Sequence, residues 1–548
     1  MITPVEKFPV GPWAAPHEFD VRRFGAVGDG RTLDTAAINR AIFAAHAAGG
    51  GTVVIPAGDY LSHSIRLKSH LTLLLNSGAT LIAADPPARG VAVGEPGESL
   101  VGYDAPEEAP PNLHQDFGHS RFRNSLIWGE NLEGVTILGP GRIYGRGLSR
   151  GNGRIALPVG EVAPQPPGHL PDVLEADGPI ESEGGELVPG EFGYPNAVDT
   201  LAAGVGNKAI GLRSCRSVTV RDLTILHGGH FAILAADCEH VTIDNVFIDT
   251  NRDGIDIDAC ANVRISNCSV NSPWDDGICV KSSCGFGGLR PVENVTISDC
   301  YVSGFVEGTL YDGTRSRQVL HRGGPIGRIK LGTEASGGFR NIAITNCLFE
   351  FCRGLALEQV DGAVMENVVV SNLSMREVMN APIFIRLAGR LRAPGATVPG
   401  SVSRVSISNV IAHHVAPEHG IFIAGLPGHP VTDVRIDGVQ LYSRGGGTEA
   451  EARRTVPEMV RDYPEPLLFG ALPSWGVYVR HAARIQLSNI TLRLLNPDQR
   501  PAILLDDVNA PDLSGIRLPD ESPVGSWVLT DVRGLRVRDC DGHGDVAR

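Results

Sequence analysis

Short alternations of apolar and polar residues recur along most of the chain and predict β-strands. Two aliphatic or β-branched residues flank one variable position and a polar residue follows, as in Val218-Thr219-Val220 with Asp222. Further copies begin at Val241, Val263, Val295, Ile342, Val368, Val405 and Ile485. The spacing is 22 or 23 residues from Asp222 to Asn267 and is longer beyond that point. A repeat of this length indicates a solenoid, so we expect an all-β fold, a right-handed single-stranded parallel β-helix with long inserted loops.

One segment near the N-terminus has helical spacing instead. Alanine and isoleucine recur at helical intervals between Asp34 and Ile42, and three glycines follow at residues 49–51. A helix there would cover the open end of the solenoid, whose edge could otherwise pair with another chain. The glycine-rich stretch from Phe24 to Gly30 could instead bind phosphate, but it lacks both a full GxGxxG and a GKS or GKT ending.

The repeats predict a single domain over residues 1–548. We expect the N-terminal cap and first coils at about 20–84, a loop-rich insert at about 85–210, the main coils with the active site at about 211–510 and a C-terminal end at 511–548. Residues 151–207 are rich in Pro, Gly and Glu, which fits a wall of a substrate cleft or a solvated surface loop. The run from His114 to Phe122 mixes aromatic and polar residues in the manner of a sugar-binding surface.

The amino-acid composition argues against several classes of function. The formal net charge of −14 argues against a nucleic-acid partner, and there is no apolar run of membrane length. The ten cysteines show no metal-binding spacing, and several recur at coil intervals, so we expect them in an interior column as small apolar residues. The first residues do not resemble a secretion signal, so we interpret the cysteines as reduced and the protein as cytoplasmic. The oligomeric state is not predicted.

The candidate chemistry lies in two equivalent segments of neighbouring repeats, residues 251–256 and 274–278. Asp253 and Asp276 are 23 residues apart, and the same offset relates the residues that follow them. Neighbouring strands of a sheet lie about 4.8 Å apart, so carboxylates on equivalent turns repel when both are ionised. One of them should keep its proton near neutral pH, as a glycosidic general acid must. The alternative is that each Asp-Gly only forms a turn.

The segments FGAVGDG, GGGTVVIPAGDY, NRDGIDID and DDGICVKS together resemble glycoside hydrolase family 28, the polygalacturonase and rhamnogalacturonan hydrolase family. The resemblance spans roughly residues 20–500 and implies a pectin-lyase-like solenoid that cleaves glycosidic bonds with inversion. It implies that Asp275 is the general acid and that Asp253 and Asp276 hold the attacking water. Asn251 matches the first residue of the family's Asn-Thr-Asp motif, Arg252 replaces the threonine, and Lys281 matches a lysine on the following strand.

Departures from the family motifs bear on the substrate. We place Pro325-Ile326-Gly327 where polygalacturonases have Gly-His-Gly, and Ala356-Leu357-Glu358 where they have the Arg-x-Lys that binds a galacturonate carboxylate. Glu358 would then repel a uronate. Arg328 and Lys330 could contact a carboxylate from a neighbouring position, or they could be solvated turn charges. A stretch from Tyr463 to Gly476 resembles the rhamnogalacturonidase-like branch of the family, whose inserted loops imply exo action.

Two further residues are candidates for substrate contact. His230 precedes Asp253 by 23 residues and should lie one rung below it, although it could be an ordinary surface histidine. Glu334 could orient the acid, bind a sugar hydroxyl or form a salt bridge within the solenoid.

The function that we expect is an inverting exo-glycosidase that releases rhamnose or galacturonate from rhamnogalacturonan-type oligosaccharides, with no cofactor and no metal. Polygalacturonase activity on homogalacturonan is the nearest alternative. Two others are a Ca²⁺-dependent pectate-lyase-like β-helix, since clustered aspartates bind Ca²⁺, and a β-helix that binds carbohydrate without cleaving it.

Overall fold

The computed structural model describes residues 18–86, 102–107, 121–149, 204–285, 288–319, 324–519 and 526–547. Within these residues the chain winds into coils of three short strands, and equivalent strands of successive coils pair in parallel. The predicted run at 114–120, most of the insert between 150 and 203, and the N-terminal residues 1–17 lie outside the described residues. No described helix is long and apolar enough to cross a membrane.

The first coils contain strands β1 (Glu18–Asp20), β2 (Asp29–Leu33), β3 (Gly51–Ile55), β4 (Gly58–Ser62), β5 (Ile65–Arg66), β6 (Leu71–Leu75), β7 (Ala79–Ala83), β8 (Ser125–Glu130), β9 (Glu133–Leu138) and β10 (Arg142–Tyr144). They also contain a 3-10 turn at Val21–Phe24 and helix α1 (Thr35–Ala47). Strands β8 to β10 lie inside the stretch expected to be loop-rich, so regular coils run through part of it.

The central coils contain β11 (Lys208–Arg213), β12 (Arg216–Arg221), β13 (Thr224–Leu226), β14 (Phe231–Ala236), β15 (Glu239–Asp244), β16 (Phe247–Asp249), β17 (Asp253–Asp258), β18 (Ala261–Ser266), β19 (Ser269–Asn271), β20 (Ile278–Ser282), β21 (Val292–Ser298), β22 (Tyr301–Ser303), β23 (Ile329–Ala335), β24 (Phe339–Cys352), β25 (Leu355–Gln359), β26 (Val364–Val378), β27 (Ile383–Leu387) and β28 (Ser401–Val415).

The last coils contain β29 (Ile421–Ala424), β30 (Val431–Ser443), α2 (Glu449–Ala452), a 3-10 turn at Pro466–Phe469, β31 (Val477–Leu494), β32 (Ile503–Asn509), β33 (Asp512–Ser514), β34 (Trp527–Arg533), β35 (Arg536–Arg538) and β36 (Val546–Ala547). All described pairs are parallel except β35 with β36.

The predicted capping helix is confirmed. α1 buries Ile38, Ala41, Ile42 and Ala45 against the first coil. The carboxylate of Asp34, just before the helix, accepts hydrogen bonds from the backbone N–H groups of Val27 and Gly28 at 2.7 and 3.0 Å. The glycine-rich stretch is therefore a loop held by its own chain, with its backbone donors engaged by a carboxylate.

Alternation of side chains along each strand fills the interior of the solenoid. Ile233, Ile255, Ile278 and Ile329 occupy one position on successive coils and are all buried in the same core. The cysteines follow this pattern, because Cys215, Cys238 and Cys260 stack in the core and so do Cys268, Cys300 and Cys347. All ten cysteines are free thiols in the structure, as the sequence predicts.

One face of the solenoid carries the candidate site, and we call it the site face. It consists of β14, β17, β20, β23, β25, β27, β29 and the first residues of β31, paired in that order. Residues that pair on successive strands of this face form a column of side chains directed away from the core. At its start the column contains Asp256, Cys279 and Lys330, and further along it contains Phe384, Phe422 and Tyr478. The aromatic region thus follows the polar region of the face, with Ala356 between them in this column.

An inserted segment at residues 444–476, which we call the covering loop, lies over the aromatic region. Its residues Val456, Phe469 and Leu472 pack with Phe384, Phe422 and Tyr478 in a second hydrophobic cluster. Buried Arg386 anchors the loop by donating hydrogen bonds to the carbonyl oxygens of Glu458 and Met459. The covering loop therefore ends the open part of the site face on its C-terminal side.

Candidate active site

Three aspartates converge where β17 and β20 begin. Oxygen atoms of Asp253, Asp275 and Asp276 all lie within 4.8 Å of one another. Asp253 is the first residue of β17. The glycines after the aspartates allow the two coils to approach, because a side chain at Gly254 would meet the carbonyl oxygen of Gly277 at 2.5 Å.

The registration of the strands confirms the 23-residue offset. Ile255 pairs with Ile278 and Asp258 pairs with Lys281. The offset to the preceding coil is different, because Phe231 pairs with Asp253. The prediction that His230 lies directly below Asp253 was therefore wrong by one residue, and His230 is level with Arg252.

Asp253 is the most enclosed of the three carboxyl groups. It is 1% exposed, and its Oδ1 has no hydrogen-bond partner among the described residues. Burial, and next the charge of Asp275, raise the pKa of Asp253 well above its usual value, while Lys281 opposes the change. The direction of this shift agrees with the expectation that one carboxyl group of the cluster keeps its proton, although burial contributes more than repulsion from the neighbouring rung.

Asp275 is held by an arginine that the sequence marks only as a departure from the family motif. Nη2 of Arg252 lies 2.6 Å and Nε lies 3.2 Å from Oδ2 of Asp275. The same guanidinium contacts Nδ1 of His230 at 3.1 Å, and His230 is fully buried, which excludes an ordinary surface histidine. Asp275 is the least buried of the three, with 19% of its side chain exposed.

Asp276 is held by the two cations expected near a substrate carboxylate. Nε of Arg328 donates to its Oδ1 at 2.8 Å, and Nζ of Lys330 lies 3.2 Å from its Oδ2. Both cations are 1% exposed, so they are not solvated turn charges. Both cations therefore have a carboxylate of the protein as a charged partner.

The strand that carries these two cations is irregular. Val280 pairs with Leu331 but Ser282 pairs with Ala335, so β23 contains two more residues than β20 over this interval. The extra residues bring Thr333 and Glu334 to the site. A β-bulge beside an active site commonly redirects side chains in this way.

Lys281 and Asn251 complete the inner part of the cluster. Nζ of Lys281 lies 2.8 Å from Oδ2 of Asp256 and 3.8 Å from Oδ2 of Asp253. These carboxylates raise the pKa of Lys281 well above its usual value although burial opposes this. Asn251 is 1% exposed, and neither polar atom of its side chain has a hydrogen-bond partner among the described residues.

Glu358 lies behind Lys330 and does not open onto a cleft. It is fully buried, its carboxylate has no hydrogen bond among the described residues, and Nζ of Lys330 is 3.7 Å from its Oε2. Burial raises the pKa of Glu358 to about 7, against the opposing charges of Lys330 and Arg328. Direct contact of Glu358 with substrate stays a prediction. The structure shows instead that the carboxylate of Glu358 lies close enough to Lys330 to interact with its charge.

Glu334 lies at the outer side of the cluster. It is 9% exposed, and its charge raises the pKa of Lys281 and of Arg390 among the smaller contributions. Arg390 itself forms a two-pronged pair with Asp361 at 2.9 and 2.6 Å. All three roles that the sequence left open for Glu334 stay predictions.

The covering loop contributes residues that the sequence alone did not assign to the site. Glu465 accepts hydrogen bonds from Nη2 of Arg328 at 2.8 Å and from Nδ2 of Asn380 at 2.8 Å, and Nη1 of Arg353 lies 2.9 Å away. The hydroxyl of Tyr463 accepts hydrogen bonds from Lys330 at 2.9 Å and Thr333 at 2.8 Å. Only the unusual Tyr-Pro-Glu-Pro sequence pointed to this segment.

Comparisons with known proteins agree with this architecture. Residues 208–386 match the right-handed β-helix region family, and residues 19–95 match the family described as rhamnogalacturonase A/epimerase, pectate lyase-like. An exo-poly-alpha-D-galacturonosidase of Dickeya chrysanthemi is 28% identical over 275 residues, which are 48% of this chain and 42% of that protein. A probable polygalacturonase of Vitis vinifera is 25% identical over 278 residues, 48% of this chain and 44% of that protein.

A solved structure has the same fold. The family 28 exopolygalacturonase of Yersinia enterocolitica superposes with a TM-score of 0.59 and 19% identity, covering 96% of this chain and 79% of that one. The chain spans less than half the length of the two sequence relatives. Together these findings confirm the expected resemblance to glycoside hydrolase family 28 and the right-handed parallel β-helix fold.

Proposed function

We propose that the protein is an exo-acting glycoside hydrolase that removes a terminal sugar from pectic oligosaccharides with inversion at the anomeric carbon. The sequence relatives support the reaction class, since their names describe enzymes that cleave polygalacturonate. The observation that carries the proposal is the convergence of Asp253, Asp275 and Asp276 within 4.8 Å on one face of the solenoid, where Asp275 is partly exposed.

The cluster has the parts that acid–base hydrolysis needs. Asp275 is the most accessible carboxyl group and protonates the glycosidic oxygen as its bond to the anomeric carbon breaks. Asp253 and Asp276 orient a water whose oxygen bonds to the anomeric carbon and whose proton passes to a carboxylate. Arg252 then stabilises the negative charge left on Asp275. Since the carboxyl groups are coupled, the proton held at Asp253 in the free protein belongs to the cluster and not to one residue.

The spacing of the carboxylates does not by itself support inversion. Inverting enzymes generally separate acid and base by about 6.5–9.5 Å and retaining enzymes by about 5–5.5 Å. The nearest oxygens here lie within 4.8 Å. Inversion is therefore taken from the family resemblance and needs its own measurement, the anomeric configuration of the first product by proton NMR.

Exo action is supported by the covering loop. Tyr463 and Glu465 reach the cations that hold Asp276, and the aromatic cluster behind them fills the outward positions of the next strands. A sugar chain lying along the site face would meet this loop immediately beyond Asp276. The substrate would therefore enter by its end.

The decisive experiment is a product analysis on defined oligosaccharides. Rhamnogalacturonan and homogalacturonan oligomers are incubated with the protein, and the products are resolved over time. We expect a monosaccharide from the first time point, with each oligomer shortened by one residue. Early release of mid-sized fragments would refute exo action, and absence of cleavage across the panel would refute hydrolysis.

A further inference from the structure

We propose that Glu465 occupies the carboxylate-binding position beside Asp276, so that the sugar cleaved by this protein is neutral, a rhamnoside type and not a uronide. The proposal rests on the hydrolytic function proposed above and names the substrate class of the same site. Glu465 belongs to the covering loop and is far in sequence from the aspartates. Its carboxylate supplies, from the protein itself, the negative charge that a uronate substrate would otherwise bring.

The contacts of Glu465 are those of a bound carboxylate in a specific receptor. Its Oε2 lies 2.8 Å from Nη2 of Arg328 and 2.9 Å from Nη1 of Arg353. Its Oε1 accepts a hydrogen bond from Nδ2 of Asn380 at 2.8 Å and a longer one from Nη1 of Arg328 at 3.4 Å. Both oxygens are therefore engaged, in the two-pronged geometry by which arginine binds carboxylates.

This receptor adjoins the catalytic cluster directly. The guanidinium of Arg328 donates to Asp276 through Nε at 2.8 Å and to Glu465 through Nη2, also at 2.8 Å. A carboxylate in the place of Glu465 would thus be one guanidinium away from a catalytic aspartate. Arg328 is 1% exposed and Glu465 is 6% exposed, so solvent does not screen the pair.

Glu465 is held firmly enough to exclude a competing carboxylate. Although burial opposes ionisation, the charges of Arg328 and Arg353 lower the pKa of Glu465 to about 2. The glutamate is therefore ionised at any pH at which the protein would act. A uronate could reach the receptor only by displacing the anion that the chain supplies.

The other cations of the cluster are also engaged by carboxylates of the protein. Each basic side chain in contact with the aspartates or with Glu465 has a carboxylate within 3.2 Å: Arg252 with Asp275, Lys281 with Asp256, Arg328 and Lys330 with Asp276, and Arg353 with Glu465. An additional negative charge on the substrate would meet repulsion at this position without a compensating cation.

Arg392 is the cation that could contradict this inference. It is half-buried, and its electrostatic neighbours are Arg390, Glu334, Asp361 and Tyr463. If the cleaved sugar were a uronate, Arg392 would be the side chain in this neighbourhood best able to bind it. The variant Arg392→Met therefore belongs in the experiment.

The test compares a matched pair of aryl glycosides, the α-rhamnoside and the α-galacturonide, with wild type, Glu465→Ala and Glu465→Gln. Glu449→Ala is the control, because Glu449 lies in the same loop but is exposed. We expect wild type and Glu449→Ala to have at least a tenfold higher kcat/KM for the rhamnoside. Glu465→Ala should lose most of this activity, recover part of it with added formate but not with chloride, and bind galacturonate at least tenfold more tightly than wild type does.

Each outcome separates the inference from the proposed function. Preference of wild type for the galacturonide, above all if Arg392→Met abolishes it, would overturn the inference and leave hydrolysis standing. If neither glycoside and none of the oligomers is cleaved, the hydrolytic function fails, and the thermal shift of wild type with rhamnose, galactose or galacturonate still decides the sugar class. If Glu465→Ala does not fold, Glu465→Gln and the wild-type selectivity decide.

Discussion

Arg252 and Asp275 form an ion pair between two neighbouring coils. Nη2 of Arg252 lies 2.6 Å and Nε lies 3.2 Å from the same carboxylate oxygen, Oδ2 of Asp275, which is the candidate acid. Arg252 stands where the family pattern has a threonine, so the proposed acid contacts a charged group in this chain. The pair is mostly buried, at 8% and 19% side-chain exposure, and its geometry depends on the planar guanidinium.

Replacement of Arg252 should therefore affect catalysis even when the positive charge is kept. We expect Arg252→Lys to lower kcat by about tenfold to a hundredfold, because one ammonium cannot make both contacts. Arg252→Met should lower it further and shift the pH profile of kcat/KM, since the charge beside Asp275 is gone. Steady-state kinetics over a range of pH measure this, and equal activity of the lysine variant and wild type would contradict the orienting role.

Loss of the proposed acid should stop the reaction without unfolding the protein. Asp275→Asn preserves the size of the side chain, so we expect kcat to fall by about 10²–10⁴ with little change in melting temperature. Asp222→Asn is the matched control, because Asp222 occupies a left-handed turn that asparagine adopts readily. Sugar release by both variants is the measurement. Comparable rates for Asp275→Asn and wild type would remove Asp275 from the mechanism.

Glu358 should make folding stability depend on pH. Its pKa rises from the ordinary 4.5 to about 7 in the folded protein, so the folded state holds its proton more tightly than the unfolded state. Its contribution is present below pH 4.5 and is lost as the pH rises through about 7. This corresponds to about 3 kcal/mol.

Glu358→Gln cannot ionise and should remove that part of the dependence. Urea unfolding at several pH values, with wild type alongside, measures it. We expect the free energy of unfolding of the variant, relative to wild type, to increase between pH 4.5 and about 7 and then to level off. Parallel pH curves for the two proteins would show that the pKa of Glu358 is not raised in the folded protein.

Lys281 should be essential for stability. It contacts buried Asp256 at 2.8 Å and buried Asp253 at 3.8 Å. Lys281→Met would leave negative charges in the interior, and we expect a loss of about 3–5 kcal/mol in the free energy of unfolding near neutral pH. The exposed pair of Arg216 with Glu239 is the comparison, where Arg216→Met should cost less than about 1 kcal/mol. Similar losses in both variants would contradict this ranking.

Removal of calcium should leave activity unchanged. Three carboxylates within 4.8 Å could attract a divalent cation, which is the specific observation in favour of a lyase. However, Arg252, Arg328 and Lys330 already contact Asp275 and Asp276 and supply positive charge there. We expect the same rate with EDTA as with added Ca²⁺, and no unsaturated product by ultraviolet absorbance. Loss of activity in EDTA with restoration by Ca²⁺ would favour the lyase.

Much of the fold and the centre of the site were predictable, because a solenoid converts sequence period into spatial contact. The 23-residue offset from Asp253 to Asp276 predicts neighbours in a stacked sheet, and the structure places them so. The prediction for His230 was wrong by one residue, since the preceding coil is shorter by that amount. The 22-residue spacing from Asn245 to Asn267 is readable in the sequence, but it does not show at which turn of the coil the missing residue falls.

The sequence predicts that one carboxyl group of the cluster keeps a proton, but it does not predict which one. Repulsion between rungs predicts that one carboxyl group keeps a proton, whereas in the structure burial makes the largest contribution to the raised pKa of Asp253. Burial of Arg328 and Lys330 was likewise not visible in the sequence, where charged residues normally indicate solvent. Both depend on what packs over the strands.

The sequence by itself determined the repeat, the capping helix and the three aspartates, because strand periodicity and coil spacing are local properties that stacking preserves. Only the tertiary structure decided what surrounds the aspartates. Glu465 lies 137 residues from Arg328, in a loop whose path is set by aromatic packing on the site face. No periodicity connects the two residues, so their contact, and with it the inferred neutral substrate, follows from the folded chain.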